Sequence, residues 1–222
     1  NRGLLRFTTR EIAPTVAVLA VALMVIMSAL TLVLPQIQGQ MTGLLDAMPP
    51  FVTSFVSAML GLEVDAGISP EVLQSFLWVH PTVLAILWTL EIILTTRYPS
   101  SQVDRGTIDV ILGWPVSRRA VFIAESLGWL VGGMIVLASG TLAHLICATT
   151  LEGESMTFVN LARIVVNLFG VYIAVAGLGC VASSLCDRRG RAALAVMGIV
   201  VASFLLNFLG QFWEPVSALE VF

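Results

Sequence analysis

Residues 14–34 read PTVAVLAVALMVIMSALTLVL, twenty-one positions without a charge and with nothing bulkier in polarity than two threonines and a serine. A helix needs roughly 20 apolar residues to cross the hydrocarbon core of a bilayer. This stretch therefore predicts a membrane span rather than a buried helix of a water-soluble domain. Four more apolar runs follow, over about 72–96, 121–150, 158–185 and 192–213. With 58% hydrophobic and 11% charged residues, the chain lacks the polar surface of an ordinary soluble domain, of which about 25% is charged. The expected architecture is all-α: one polytopic membrane helix bundle, residues 1–222 forming a single transmembrane domain.

The connections sort by charge. Arg2, Arg6 and Arg10 precede the first run, Arg97, Arg105, Arg118 and Arg119 lie between the second and third, and Arg188, Arg189 and Arg191 lie between the fourth and fifth. The alternate connections carry no basic residue; Arg163 lies a few residues into the fourth run, from where it can snorkel to the far interface. Arginines gather on the cytoplasmic side, so the count predicts a cytoplasmic N-terminus and five spans, with residue 222 outside. The segment 51–62 is too short to cross. Phe51, Phe55, Met59 and Leu62 share one face of it, which predicts an amphipathic helix at the outer interface.

All eleven basic residues are arginine. A nucleotide-binding P-loop needs a lysine to reach the β- and γ-phosphates, so these residues are not expected to hydrolyse ATP or to be catalytic by themselves. Leu137-Ala138-Ser139-Gly140 is similar to the Gly-x-Ser-Gly of intramembrane serine proteases, but leucine replaces the first glycine and no histidine stands at a matching position. A packing serine is the better reading. Cys147, Cys180 and Cys186 have no metal-ligand spacing, and no cofactor or metal is expected on this chain. Glu91 and Glu125, near the arginine-bearing ends of their runs, are the intramembrane acids, with arginine pairing as the expected role and a functional one as the alternative. His80 and His144 read as hydrogen-bonding residues. Gly128-x-x-x-Gly132, Gly179-x-x-x-Ser183 and Gly198-x-x-x-Ala202 fit the small-residue spacing that lets membrane helices approach closely.

The connection at 97–119 has the grammar of a short helix. Pro99 stops the second span, Ser101 with Asp104 suggests a capping box, and Ile108, Ile111 and Leu112 form an apolar set. Gly113 and Pro115 end the element, and Ser117 caps the next span. Such a helix either rests on lipid headgroups or docks on a partner.

The string Asp104-Arg105-Gly106-Thr107-Ile108-Asp109-Val110-Ile111-Leu112-Gly113-Trp114-Pro115-Val116-Ser117-Arg118 resembles the signature of permease subunits of the type-2 ABC exporter class. That signature is an acidic residue, any residue, Gly-Thr, a hydrophobic helix and Pro-x-Ser-Arg. Asp104 stands where glutamate is usual, Trp114 replaces a small residue, and Glu125 stands where lysine is common. The resemblance implies a coupling helix over 101–113 that docks on a separate ABC ATP-binding subunit, which would hold ATP and Mg. It assigns that contact to Asp104, Arg105, Gly106, Thr107, Ile108, Asp109, Ile111, Leu112, Pro115, Ser117 and Arg118. Arg188, Arg189 and Arg191 are either a second contact or plain topology determinants. The resemblance also implies a second permease copy, a bacterial or archaeal cytoplasmic membrane, no nucleic acid, and a sixth span after Glu214–Phe222. A non-transporting anchor or mechanical transmitter of a larger membrane complex is the alternative.

Overall fold

The computed structural model describes residues 2–47, 70–113, 115–150 and 156–210. These form eight helices: α1 (Arg2–Ala47), α2 (Pro70–Trp78), α3 (Pro81–Thr95), α4 (Ser100–Asp104), α5 (Ile108–Leu112), α6 (Arg118–Ala148), α7 (Phe158–Leu185) and α8 (Arg189–Gly210). There is no strand among the described residues, in keeping with the all-α expectation. Five segments are long and apolar enough to cross a membrane: Gly3–Gln36, Gln74–Thr95, Arg118–Ala148, Phe158–Leu185 and Arg189–Leu206. This is consistent with a multi-pass membrane protein. The expected interfacial helix at 51–62 and the lead-in to a sixth span at 214–222 lie outside the described residues.

Two boundaries differ from expectation. The first helix starts at Arg2 rather than at Pro14, and Pro14 and Pro35 lie inside it. A proline removes one helical hydrogen bond and crowds the preceding turn, yet the buried stripe begins well before Pro14 and runs to Leu34, next to Pro35. Leu4, Thr8, Ile12, Val16, Ala20, Leu23, Met27, Thr31 and Leu34 recur every three or four residues on one buried face. Packing along that stripe overrides the local cost. In the second run the chain breaks into α2 and α3, because Pro81 disfavours the helical conformation for the residue before it. His80 adopts φ −58° and ψ 136° and caps α3, its Nδ1 accepting from the Thr82 N–H at 3.3 Å. The fourth run is a helix over the expected 158–185.

Helix packing in lipid relies on close van der Waals fit rather than on release of water. α1 lies along α6, and α6 presents glycines to it. A Cβ at Gly128 would press on Thr8 and Ile12, at Gly132 on Val16 and Leu94, and at Gly140 on Leu23. α3 sits between α1, α6 and α7, with α8 packed on α7. On α7, a Cβ at Gly179 would overlap the Thr95 hydroxyl, and Ser183 is buried one turn further on. Two of the three expected small-residue pairs thus face neighbours within the chain. Gly198 of the third faces open space.

The buried polar groups are mostly satisfied. Thr31 Oγ1 lies 3.0 Å from His144 Nδ1, and the Trp78 ring stands edge-on to that imidazole. The Ser139 hydroxyl donates to the carbonyls of Ala20 (3.0 Å) and Val136 (2.7 Å), which joins α6 to α1 as a packing serine would.

Candidate functional site

The arginine-bearing segments meet at one end of the bundle, and side-chain contacts hold them there. Arg97 follows α3 directly. Its Nη2 lies 2.8 Å from Glu11 of α1 and 2.9 Å from Glu125 of α6. The Thr8 hydroxyl donates to the same Glu125 oxygen at 3.0 Å, and Arg97 Nη1 donates to the Thr8 carbonyl at 3.4 Å. Three helices are thereby tied through one guanidinium. The expected pairing of Glu125 with an arginine is present. Glu11 and Thr8 were not singled out from the sequence; the signal for Glu11 is that it is the one acid beside three arginines.

Glu91 departs from expectation. Only 1% of it is exposed, it makes no ion pair, and its Oε2 has no hydrogen-bond partner among the described residues. It lies one helical turn and more inside α3, too deep for Arg97, whose side chain turns toward α1 and α6. The Tyr172 phenol of α7 donates to the Trp129 carbonyl at 2.8 Å.

The segment expected as one helix over 101–113 is two helices of five residues with a turn between them. Gly106 takes φ +68°, a left-handed conformation that side chains with a Cβ rarely adopt. The turn is closed by Thr107 N–H on the Gln102 carbonyl (2.9 Å) and by the Thr107 hydroxyl on Gln102 Oε1 (2.5 Å). The expected capping box does not form. Pro99 occupies the N-cap of α4 without a side-chain bond, while Ser100 and Ser101 are buried. Ser100 is used across the bundle instead: its hydroxyl lies 3.0 Å from Ser183 Oγ on α7. Ser117 does cap α6, accepting from the Ala120 N–H at 3.2 Å.

The residues assigned to partner contact are outward-facing where their side chains are described. Asp104, Arg105, Gly106, Thr107, Asp109, Pro115, Ser117 and Arg118 are exposed, Ile108 is half-buried and Val110 is 63% exposed. Ile111 and Leu112 are described in backbone only, and Trp114 lies outside the described residues. No helix packs extensively against α5 among the described residues. Beneath this segment, burial pushes the Tyr98 phenol above its ordinary range, against the pull of the Arg118 guanidinium and with the push of the Glu125 carboxylate.

The second arginine cluster divides. Arg188 is exposed, and Arg191 pairs with exposed Asp187 at 2.9 Å. Arg189 turns inward, donating from Nε to Thr96 Oγ1 (3.3 Å) and from Nη2 to the Ile93 carbonyl (3.4 Å). It places a positive charge at the C-terminus of α3, where the helix dipole is negative. Its role inside the chain is therefore that of a cap. No group of three or more His, Cys, Asp or Glu that could hold a metal occurs among the described residues. Comparison with protein-family models, with curated proteins and with solved structures returns no match to this chain.

Proposed function

We propose that the chain is the transmembrane permease subunit of an ATP-driven exporter, coupled through residues 101–113 to a separate ATP-binding subunit that holds ATP and Mg. The observation that carries this reading is the Asp104–Arg118 stretch, whose sequence resembles the type-2 ABC exporter signature and whose described side chains are mostly exposed. The arginine count orients the N-terminus and this stretch toward the cytoplasm. The chain has no lysine for a P-loop, so work from ATP must enter through a docked protein. A second permease copy would complete the route across a bacterial or archaeal cytoplasmic membrane.

The physical path of coupling follows from the contacts. Force on α4 passes to α7 through Ser100 and Ser183, and force on residues 115–118 passes to α6 through the Ser117 cap. Arg97 links α6 to α1. The charged residues Asp104, Arg105, Asp109 and Arg118 set register on the partner more than affinity.

The test is co-expression with candidate ABC ATP-binding subunits from the same genome. Charge reversal of Arg105→Glu together with Asp109→Arg should abolish co-purification of the subunit that binds and its stimulated ATP turnover. Unchanged complex and turnover would overturn the reading.

A further inference from the structure

Between α1 and α6 runs an open cleft of about 410 Å3, facing outward and lined by Leu5, Ile12 and Val16 on one side and Leu127, Val131 and Ile135 on the other. It presents no free polar group. Its one hydroxyl, on Thr9, is already donated to the carbonyls of Leu5 (2.9 Å) and Arg6 (3.1 Å). From Ala124 to Ile135 the floor rises about 16 Å along α6. That matches about 15 Å, half of the bilayer hydrocarbon core. The cleft is thus as deep as one leaflet and takes hydrocarbon only.

Positive charge flanks one half of it. Arg6 follows Leu5 and Arg10 follows Thr9, and both of these neighbours line the cleft, so the two cations flank its arginine-side half. Both arginines are exposed, and neither makes an ion pair among the described residues. Cations flanking the arginine-side half of an apolar cleft complement a molecule with a hydrocarbon tail and an anionic head. We infer that the α1–α6 cleft is a binding site for an anionic glycerophospholipid of the leaflet on the arginine side, the tail lying along Val131 and Ile135 and the phosphate at Arg6 and Arg10. The inference does not depend on the chain being a transporter subunit.

The test uses native mass spectrometry of the full chain released from nanodiscs of equimolar phosphatidylglycerol and phosphatidylcholine with the same tails. Wild type should retain phosphatidylglycerol about thirtyfold over phosphatidylcholine, the scale that two arginines give at a membrane surface. Arg6→Gln with Arg10→Gln should bring the ratio to near one, and Val131→Trp should lower retention of both lipids. A phosphatidylglycerol carrying a diazirine in its tail should label peptides from 5–16 and 124–135 in the unmodified protein, which keeps the test decisive if the tryptophan variant fails to fold. Equal retention of the two lipids, a ratio unmoved by the arginine variants, or labelling confined to other helices would overturn the site. So would efficient Val131→Cys crosslinking between copies, which would make the cleft a protein interface.

Discussion

Arg97 Nη2 stands 2.9 Å from Glu125 Oε1, joining the residue beyond α3 to the second turn of α6 with both side chains largely buried, 15% and 16% exposed. The same nitrogen reaches Glu11, but that carboxylate is 47% exposed. One guanidinium thus serves two acids in different dielectric surroundings. Removing the buried partner of a pair leaves an uncompensated charge, whereas an exposed partner is replaced by water.

Glu125→Ala is therefore expected to lower stability by about 3 kcal/mol. Glu11→Ala is expected to lower it by about 1 kcal/mol or less. Denaturant unfolding in detergent micelles, read by far-UV circular dichroism, separates the two. Equal losses would mean that Arg97 does not favour the buried acid.

Glu91 gives the opposite sign. Its Oε2 is buried without a partner among the described residues, and an unsatisfied buried polar atom costs about 1–3 kcal/mol. Glu91→Leu should raise the unfolding midpoint. A lower midpoint in the leucine variant would show that the carboxyl has a partner that the other helices supply.

The glycines divide into filled and open positions. A Cβ at Gly133 would overlap the Tyr172 ring, whereas one at Gly198 meets nothing within 4 Å. Gly133→Ala should destabilise by about 1–3 kcal/mol, the cost of overpacking a tight contact. Gly198→Ala should be neutral or slightly stabilising, since alanine is the better helix former. The comparison of the two midpoints is the measurement.

Arg188 and Arg189 are neighbours with different employment. Arg189→Ala removes the cation at the end of α3 and should cost about 0.5–1 kcal/mol of stability. Arg188→Ala should leave stability unchanged. If the cluster also contacts a partner, the Arg188 variant weakens complex formation in a pull-down without moving the unfolding midpoint.

The apolar runs were legible because bilayer thickness dictates their length, and the 158–185 run became a helix with those ends. The first helix was harder. Its polar beginning hid a buried stripe through Leu4, Thr8 and Ile12 that only the position of α6 makes meaningful. His80 before Pro81 carries a break that local sterics supply, although the mainly apolar run continues on both sides of it. At the candidate site the exposed character of residues 104–118 fits the reading of a solvent-side connection. The split at Gly106 was hidden because Ser101 and Asp104 satisfy a capping pattern on paper, while Ser100 is committed to Ser183 in space. The Glu11–Arg97–Glu125 cluster joins positions over a hundred residues apart, and no local pattern records such a meeting.

The bend at Gly106 divides the 100–112 stretch into two rods, each about 7 Å long. A straight rod would transmit push and twist alike. A jointed pair transmits thrust along its length but yields to torque, except where a clasp stiffens the joint. Here the clasp is the double contact between Gln102 and Thr107. The stiffness of this joint thus rests on one backbone bond and one amide–hydroxyl contact, and not on the length of a helix.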